Sequence, residues 1–155
     1  MLKIHYKIGA LFILVLLFCA LYWSLSIQEQ DIKPIAECDL SKQACHITLH
    51  EKSLNIHFSA LPIVLEELNE LVISSDEEHL QILDGRIEGI SMNMGHIPLQ
   101  FKPTRFNQTT NQWRANVVLG ACTDPLMTWL LTVNVQLNGL PYTIPLIFNT
   151  ELSNL

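Results

Sequence analysis

The side chains best suited to chemistry lie in two stretches of the sequence. The first stretch reads GISMNMGH and covers residues 89–96. If this stretch is extended, Met92, Met94 and His96 project to the same side, because successive side chains of a strand alternate. Two thioethers and an imidazole on one edge form a soft donor set. The spacing therefore predicts a site for a soft metal ion.

A second stretch, GACTDPLMTW at residues 120–129, contributes a thiol at Cys122 and another thioether at Met127. Between them, Asp124-Pro125 favours a tight turn that would bring the two side chains near one another. Thiolate and thioether sulfur select Cu(I) over harder ions. The expected Cu(I) ligands are four sulfur side chains and one optional imidazole: Met92, Met94, Cys122, Met127 and His96.

The alternative to copper is the ordinary use of methionine, which fills irregular gaps in protein cores. In that case Met92, Met94 and Met127 pack between two sheets beside Trp129. The sequence has neither the oxygen-ligand cluster that calcium needs nor the paired Cys/His spacing of structural zinc. It also lacks a Gly-x-Ser-x-Gly elbow, a His-Glu-x-x-His motif and a phosphate-binding glycine loop, so no enzyme is predicted.

The elements that must position these side chains are strands, because polar and apolar residues alternate along much of the chain. Asn138-Gly139 is a strong signal for a tight hairpin. Roughly seven short strands separated by turns are typical of an immunoglobulin-like or cupredoxin-like β-sandwich, an all-β fold. The segments expected to be strands are 46–50 and 54–58, which form two strands or one bent strand, and then 68–74, 80–90, 98–101, 113–119, 127–137 and 142–148. Residues 64–74 also fit a short helical stripe, and the strand at 68–74 is the favoured interpretation.

Three histidines, His46, His50 and His57, fall on the polar side of the first two strands. A strand with one buried face leaves its polar side in water. We expect all three to be solvated.

Residues 8–25 read IGALFILVLLFCALYWSL and carry no charge. A helix of this length spans ~27 Å at ~1.5 Å per residue, close to a hydrocarbon core of ~30 Å. Lys3 and Lys7 precede the run, which places that flank in the cytoplasm. The first interpretation is an uncleaved single-pass anchor. A cleaved signal peptide and a lipoprotein signal at Cys19 are the alternatives, and all three export the remainder.

The chain of 155 residues has room for one globular domain. We expect a membrane anchor over 1–26, a linker over 27–37 and an exported β-sandwich over 38–155. Its nine Lys/Arg against fifteen Asp/Glu give a net charge of −6. An acidic surface repels phosphate backbones, so no nucleic-acid binding is expected.

The cysteines after the anchor are odd in number, in a compartment that favours disulfides. Cys38 and Cys45 could form a local disulfide that closes the segment CDLSKQAC. Cys122 would then not take part in this disulfide. That residue is then explained by burial, by an intermolecular bridge or by a metal. Alternatively, Cys122 pairs with Cys38 or Cys45 instead.

Taken together, these motifs resemble a known family. The segments GISMNMGHIPLQF, WRANVVLGAC and MTWLLTV are similar to the C-terminal part of small exported bacterial domains of the YtkA-like and FixH-like type. The resemblance covers about residues 60–137. The chain is also similar to membrane-anchored proteobacterial proteins with a Cys…Cys pair after the anchor, a Met-x-Met-Gly stretch and a later Cys…Met-x-Trp. The corresponding residues are Cys38, Cys45, Met92, Met94, Gly95, Cys122, Met127 and Trp129.

This resemblance implies an immunoglobulin-like sandwich at the outer face of the bacterial inner membrane. It also implies an association with copper handling or with assembly of respiratory oxidases. Together with the sulfur donors, it predicts a periplasmic domain that binds Cu(I) and delivers it to a partner such as an oxidase subunit. The alternative is a metal-free module whose edge strand or apolar patch pairs with a membrane complex.

Overall fold

The computed structural model describes residues 14–16, 18–19, 38–105, 110–122 and 124–151. The chain divides into two compact units, Met1–Asp31 and Ile32–Leu155. In the first unit the described residues are helical and exposed, and the rest of the predicted anchor lies outside the described residues. Among the residues described, no helix has both the length and the apolar character needed to cross a membrane.

The described part of the second unit is built from strands that pair antiparallel throughout. The all-β prediction is therefore confirmed. The strands, in chain order, are β1 Cys45–Leu49, β2 Lys52–Phe58, β3 Leu68–Ser75, β4 Leu80–Gly89, β5 His96–Leu99, β6 Lys102–Arg105, β7 Asn111–Val118, β8 Leu126–Leu137 and β9 Leu140–Glu151.

These strands form two sheets. One has five strands in the order β1-β2-β3-β7-β6, and the other has four in the order β5-β4-β8-β9. Two tight turns shape the hairpins through positive φ angles. His50 and Glu51 lie at 45° and 68° between β1 and β2, and Asn138 and Gly139 lie at 51° and 82° between β8 and β9. The Asn-Gly hairpin is where the sequence predicts it.

The core lies between the sheets, because strands of both sheets turn their apolar side inwards. Phe148 of β9 joins the two sheets through aromatic contacts. Its ring centroid is 5.3 Å from that of Phe58 on β2 and 6.4 Å from that of Trp129 on β8. The indole Nε1 of Trp129 donates a hydrogen bond to Thr150 Oγ1 at 2.9 Å, so this buried polar group is satisfied.

The segment before β1 is closed by a disulfide between Cys38 and Cys45, with the two Cα atoms 5.7 Å apart. Inside this loop the Asp39 carboxylate accepts hydrogen bonds from the backbone N–H and the hydroxyl of Ser41. It also forms an ion pair with Lys42 Nζ at 2.9 Å. Burial opposes ionisation of Asp39, but these donors outweigh it and lower the pKa of the carboxyl. Leu40 is fully buried, so the loop packs onto the core.

Candidate metal centre

Both sulfur-bearing connections lie at the same end of the two-sheet domain. Residues 90–95 connect β4 to β5, and residues 119–122 follow β7 on the way to β8. The last residue of β4, Gly89, pairs in register with Trp129 near the start of β8. Because the second connection leads into that same start of β8, antiparallel pairing brings the two connections together.

The thiol of Cys122 contacts the thioether of Met92. It donates a hydrogen bond to Met92 Sδ, with the two sulfur atoms 2.9 Å apart. Met94 lies against the same connection, since a Cβ placed on Gly120 would be 3.4 Å from Met94 Cε. We call Met92, Met94 and Cys122 the sulfur cluster. The two stretches therefore meet, as a shared site requires.

The sulfur cluster is open to solvent. The exposed fractions are 39% for Met92 and 40% for Met94. Cys122 is half-buried. Large apolar side chains at the surface are unusual enough to suggest a contact or a ligand when they are grouped. An ion could reach this group of sulfur atoms without unfolding the domain.

The connection that carries Met92 is tied to β8 by Ser91. The Ser91 hydroxyl donates to Met127 Sδ at 3.4 Å and accepts from the backbone N–H of Thr128 at 3.1 Å. Next to it, the N–H of Ile90 donates to the carbonyl of Thr128 at 2.8 Å. These bonds limit the positions that the following methionines can take.

Two glycines allow the backbone path of the same connection. At Gly95 φ is +74°, a conformation that L side chains rarely adopt, and its N–H donates to Asn93 Oδ1 at 3.1 Å. A Cβ on Gly89 would collide with the carbonyl oxygen of Met92. The backbone path of residues 90–94 between these two glycines therefore depends on both positions.

Met127 occupies a different environment from the other predicted sulfur ligands. It is 1% exposed and belongs to the core. Its sulfur accepts the Ser91 hydroxyl rather than facing the surface. Met127 therefore packs in the core, as the packing alternative predicts for this residue, and contacts the connection that carries Met92 through Ser91.

His96 is exposed at the first position of β5, in register with Glu88 of β4. The described contacts do not join it to the sulfur cluster. Within the described ranges there is also no group of three or more His, Cys, Asp or Glu that could hold a metal ion. A metal at this end would therefore need the thioethers of Met92 and Met94 in addition to the thiol of Cys122.

Two features were not apparent from the sequence. Ser91 has no motif around it, and its role depends on Met127, which lies 36 residues away. His57, expected to be solvated, is half-buried, and its Nδ1 is withdrawn from solvent. Strand alternation shows that His57 faces away from the core, but it does not show that neighbouring strands cover the ring.

Comparisons with protein families, with curated proteins and with solved structures found no match for this chain. Its function must therefore be inferred from the geometry of the described residues.

Proposed function

We propose that this protein binds Cu(I) at the sulfur cluster and passes it to a partner at the outer face of the bacterial inner membrane. The observation that supports the proposal is the 2.9 Å approach of Cys122 Sγ to Met92 Sδ, from stretches 30 residues apart. A thiolate and thioethers are the ligand set that suits Cu(I).

Cu(I) binding would replace the thiol proton of Cys122, because the thiolate is the metal ligand. Metal–sulfur bonds of about 2.3 Å, as zinc makes, hold two ligands of a tetrahedral site roughly 3.8 Å apart. The present contact of 2.9 Å would have to open by about 1 Å. Met92 is exposed, so rotation about its side-chain bonds can supply that change.

The exposure of the two methionines also supports release of the ion. A buried site holds its metal behind protein atoms, whereas Met92 and Met94 lie at the surface of a short connection. A partner could add its own ligands before the thioethers leave. The proposal is therefore delivery of Cu(I) rather than permanent storage.

The location follows from the sequence. Residues 8–25 would anchor the chain in the inner membrane, and the disulfide between Cys38 and Cys45 is typical of an exported domain. The two sheets would form an immunoglobulin-like or cupredoxin-like sandwich. A respiratory oxidase under assembly is the partner that the family resemblance suggests.

The test is competition for Cu(I) between the full-length chain and a chromogenic Cu(I) chelator such as bicinchoninate. We expect binding of one Cu(I) per chain. We expect the double variant C122S/M94L to bind at least tenfold more weakly, a loss of about 1.4 kcal/mol or more.

The control is L140A, which alters an exposed apolar side chain at the β8–β9 hairpin, at the other end of β8 from the cluster, and should leave the affinity unchanged. Circular dichroism of each variant separates loss of ligands from loss of fold. If the wild-type chain does not compete with the chelator, or if C122S/M94L competes as well as the wild type, copper binding at this site is excluded.

A second candidate function, the metal-free interaction module, is favoured by exposed aliphatic side chains near the same end. Leu68 and Val118 are register partners and are 68% and 50% exposed, and Ile90 and Leu126 are 52% and 50% exposed. Apolar side chains grouped in this way are typical of protein contacts. They could serve a partner with or without a metal.

The double variant M92L/M94L separates the two candidates, because leucine keeps the apolar surface and removes both thioethers. An interaction module would still co-purify with its membrane complex when it carries this variant. A copper-delivery domain would also keep the complex, but it would lose Cu(I) binding and leave the complex without copper, whereas the function of an interaction module would be unchanged. A variant with Leu68 and Val118 changed to serine should instead lose the complex.

A further inference from the structure

The outer face of the five-stranded sheet contains a groove of about 580 Å³ that shares no residue with the sulfur cluster. Its walls come from the side chains of β1, β2, β3 and β7 that point away from the core. Volumes of this size are common among small-molecule sites. The groove is therefore large enough for a ligand of several rings.

A row of neutral hydrogen-bonding side chains crosses all five strands in this groove and at its edge. The pairing of neighbouring strands places its members in one register: His46, Asn55, Ser74, Gln112 and Thr104. Neighbouring strands lie ~4.8 Å apart, so the row is roughly 19 Å long. Exposed sheet faces usually include Lys and Glu, but this row has neither. A row without Lys or Glu suits an extended ligand that carries no charge.

Two polar atoms, Asn55 Oδ1 within this row and His57 Nδ1 beside it, are withdrawn from solvent and form no hydrogen bond among the described residues. A buried polar atom without a partner costs free energy. The χ2 torsions of Asn and His are broad, so both groups can turn towards the groove. Ligand hydroxyls there would donate a hydrogen bond to Asn55 Oδ1 and form a hydrogen bond with His57 Nδ1.

The charges around the groove disfavour an ionic ligand. Arg114 already donates to Glu70 Oε2 at 2.9 Å and to Gln112 Oε1 at 3.0 Å, so two of its donors are already used and are not available to an anion. The Asp76 carboxylate at the other side of the groove would repel an anion. A metal cation would be repelled by the positive guanidinium of Arg114, which lies next to His57. A neutral ligand avoids both penalties.

Beneath the groove lies the apolar side chain of Val72, which is 2% exposed and in register with His57 and Arg114, so these two side chains would have to turn aside before a ligand could contact it. Sugar rings have this combination of properties: hydroxyls around the rim and C–H groups on the faces. A peptide would be expected to pair through its backbone with a strand edge instead. We propose that this groove binds a neutral oligosaccharide.

The test is isothermal titration of the full-length chain with chitotetraose and with cellotetraose, in a detergent without a sugar head group. We expect at least one of them to bind with a Kd of about 1 mM or lower. Asn55→Ala and Gln112→Ala should each weaken that binding at least tenfold. Gln81→Ala is the control, because Gln81 is exposed on β4 in the other sheet and should leave the affinity unchanged.

Thermal unfolding gives an independent readout. Because Asn55 Oδ1 has no partner among the described residues, Asn55→Ala should leave the melting temperature unchanged or raise it while it weakens the saccharide. The proposal is overturned if neither saccharide binds up to about 10 mM. It is equally overturned if Asn55→Ala and Gln112→Ala, both folded, bind as well as Gln81→Ala.

Discussion

At the scale of single residues, the same side chain has different roles because its surroundings differ. Met92 and Met94 are two-fifths exposed, whereas Met127 is 1% exposed. Exposed thioethers can bind a soft ion, and a buried one mainly contributes packing. The burial of each methionine, rather than its residue type, separates the candidate ligands Met92 and Met94 from the core residue Met127.

We predict that Met127→Ala destabilises the domain by about 2–5 kcal/mol, because it leaves a cavity in the core and removes the acceptor of the Ser91 hydroxyl. Met127→Leu keeps the volume and should cost less than about 1.5 kcal/mol. Urea denaturation measures both. Equal stability of the alanine variant and the wild type would show that the residue is not packed as described.

His57 predicts a pH dependence of stability. Burial lowers the pKa of its imidazole, and the nearby charge of Arg114 lowers it further. The unfolded chain therefore takes up a proton at a higher pH than the folded protein does. Stability from this group is present above the ordinary His pKa of about 6.5 and is lost as the pH falls below it.

The measurement is the free energy of unfolding of wild type and His57→Gln between about pH 7.5 and pH 5. We expect wild type to lose more stability than the variant over this range. His96→Gln is the matched control, because His96 is exposed on the other sheet. Identical pH profiles for wild type and His57→Gln would contradict the prediction.

At the scale of elements, the connection between β4 and β5 presents the two methionines. Its geometry depends on hydrogen bonds from Ile90 and Ser91 to β8 and on the missing side chain of Gly89. A connection without these constraints could hold Met92 in many positions, and only some of them reach Cys122. Residues 90–95 must therefore keep one defined conformation if Met92 and Cys122 are to form a shared metal site.

We predict that Gly89→Ala displaces the connection, because the new Cβ collides with the Met92 carbonyl, a backbone atom that can move only with the chain. Cu(I) affinity should fall at least tenfold, about 1.4 kcal/mol, while the sheets remain folded. Gly120→Ala is the control, since its Cβ would meet only the flexible end of Met94. Equal loss in both variants would contradict the geometry.

At the scale of the whole molecule, the two-sheet domain combines a sulfur cluster at one end with a polar groove on one face. The core between the sheets makes both sites possible, because it fixes which side of each strand is exposed. Phe58, Trp129 and Phe148 connect the sheets within that core. The disulfide-closed segment before β1 packs onto the same core through Leu40.

We predict that the variant C38S/C45A lowers the free energy of unfolding by about 2–3 kcal/mol, because a short loop is no longer closed in the unfolded chain. Thermal unfolding should show a fall in Tm of about 10 °C. Cu(I) affinity should remain that of the wild type, because the sulfur cluster does not include these cysteines. Loss of Cu(I) binding in a folded C38S/C45A variant would contradict this separation.

Much of the strand content was predictable from local signals. The alternation in Trp113–Leu119 and Met127–Leu137 and the Asn138-Gly139 turn depend only on neighbouring residues, so the sequence alone indicates them. The short spacing of Cys38 and Cys45 likewise suggested the disulfide that the structure contains. The all-β class follows from these elements together.

The sites depend on contacts between distant parts of the chain. Periodicity groups Met92 with Met94, but only the pairing of β4 with β8 and the packing of the sheets bring Met92 to Cys122 and bury Met127. The polar groove likewise combines β1, β2, β3 and β7. Local composition determined the strands, whereas long-range register and burial decided which side chains meet. These quantities depend on the folded chain as a whole.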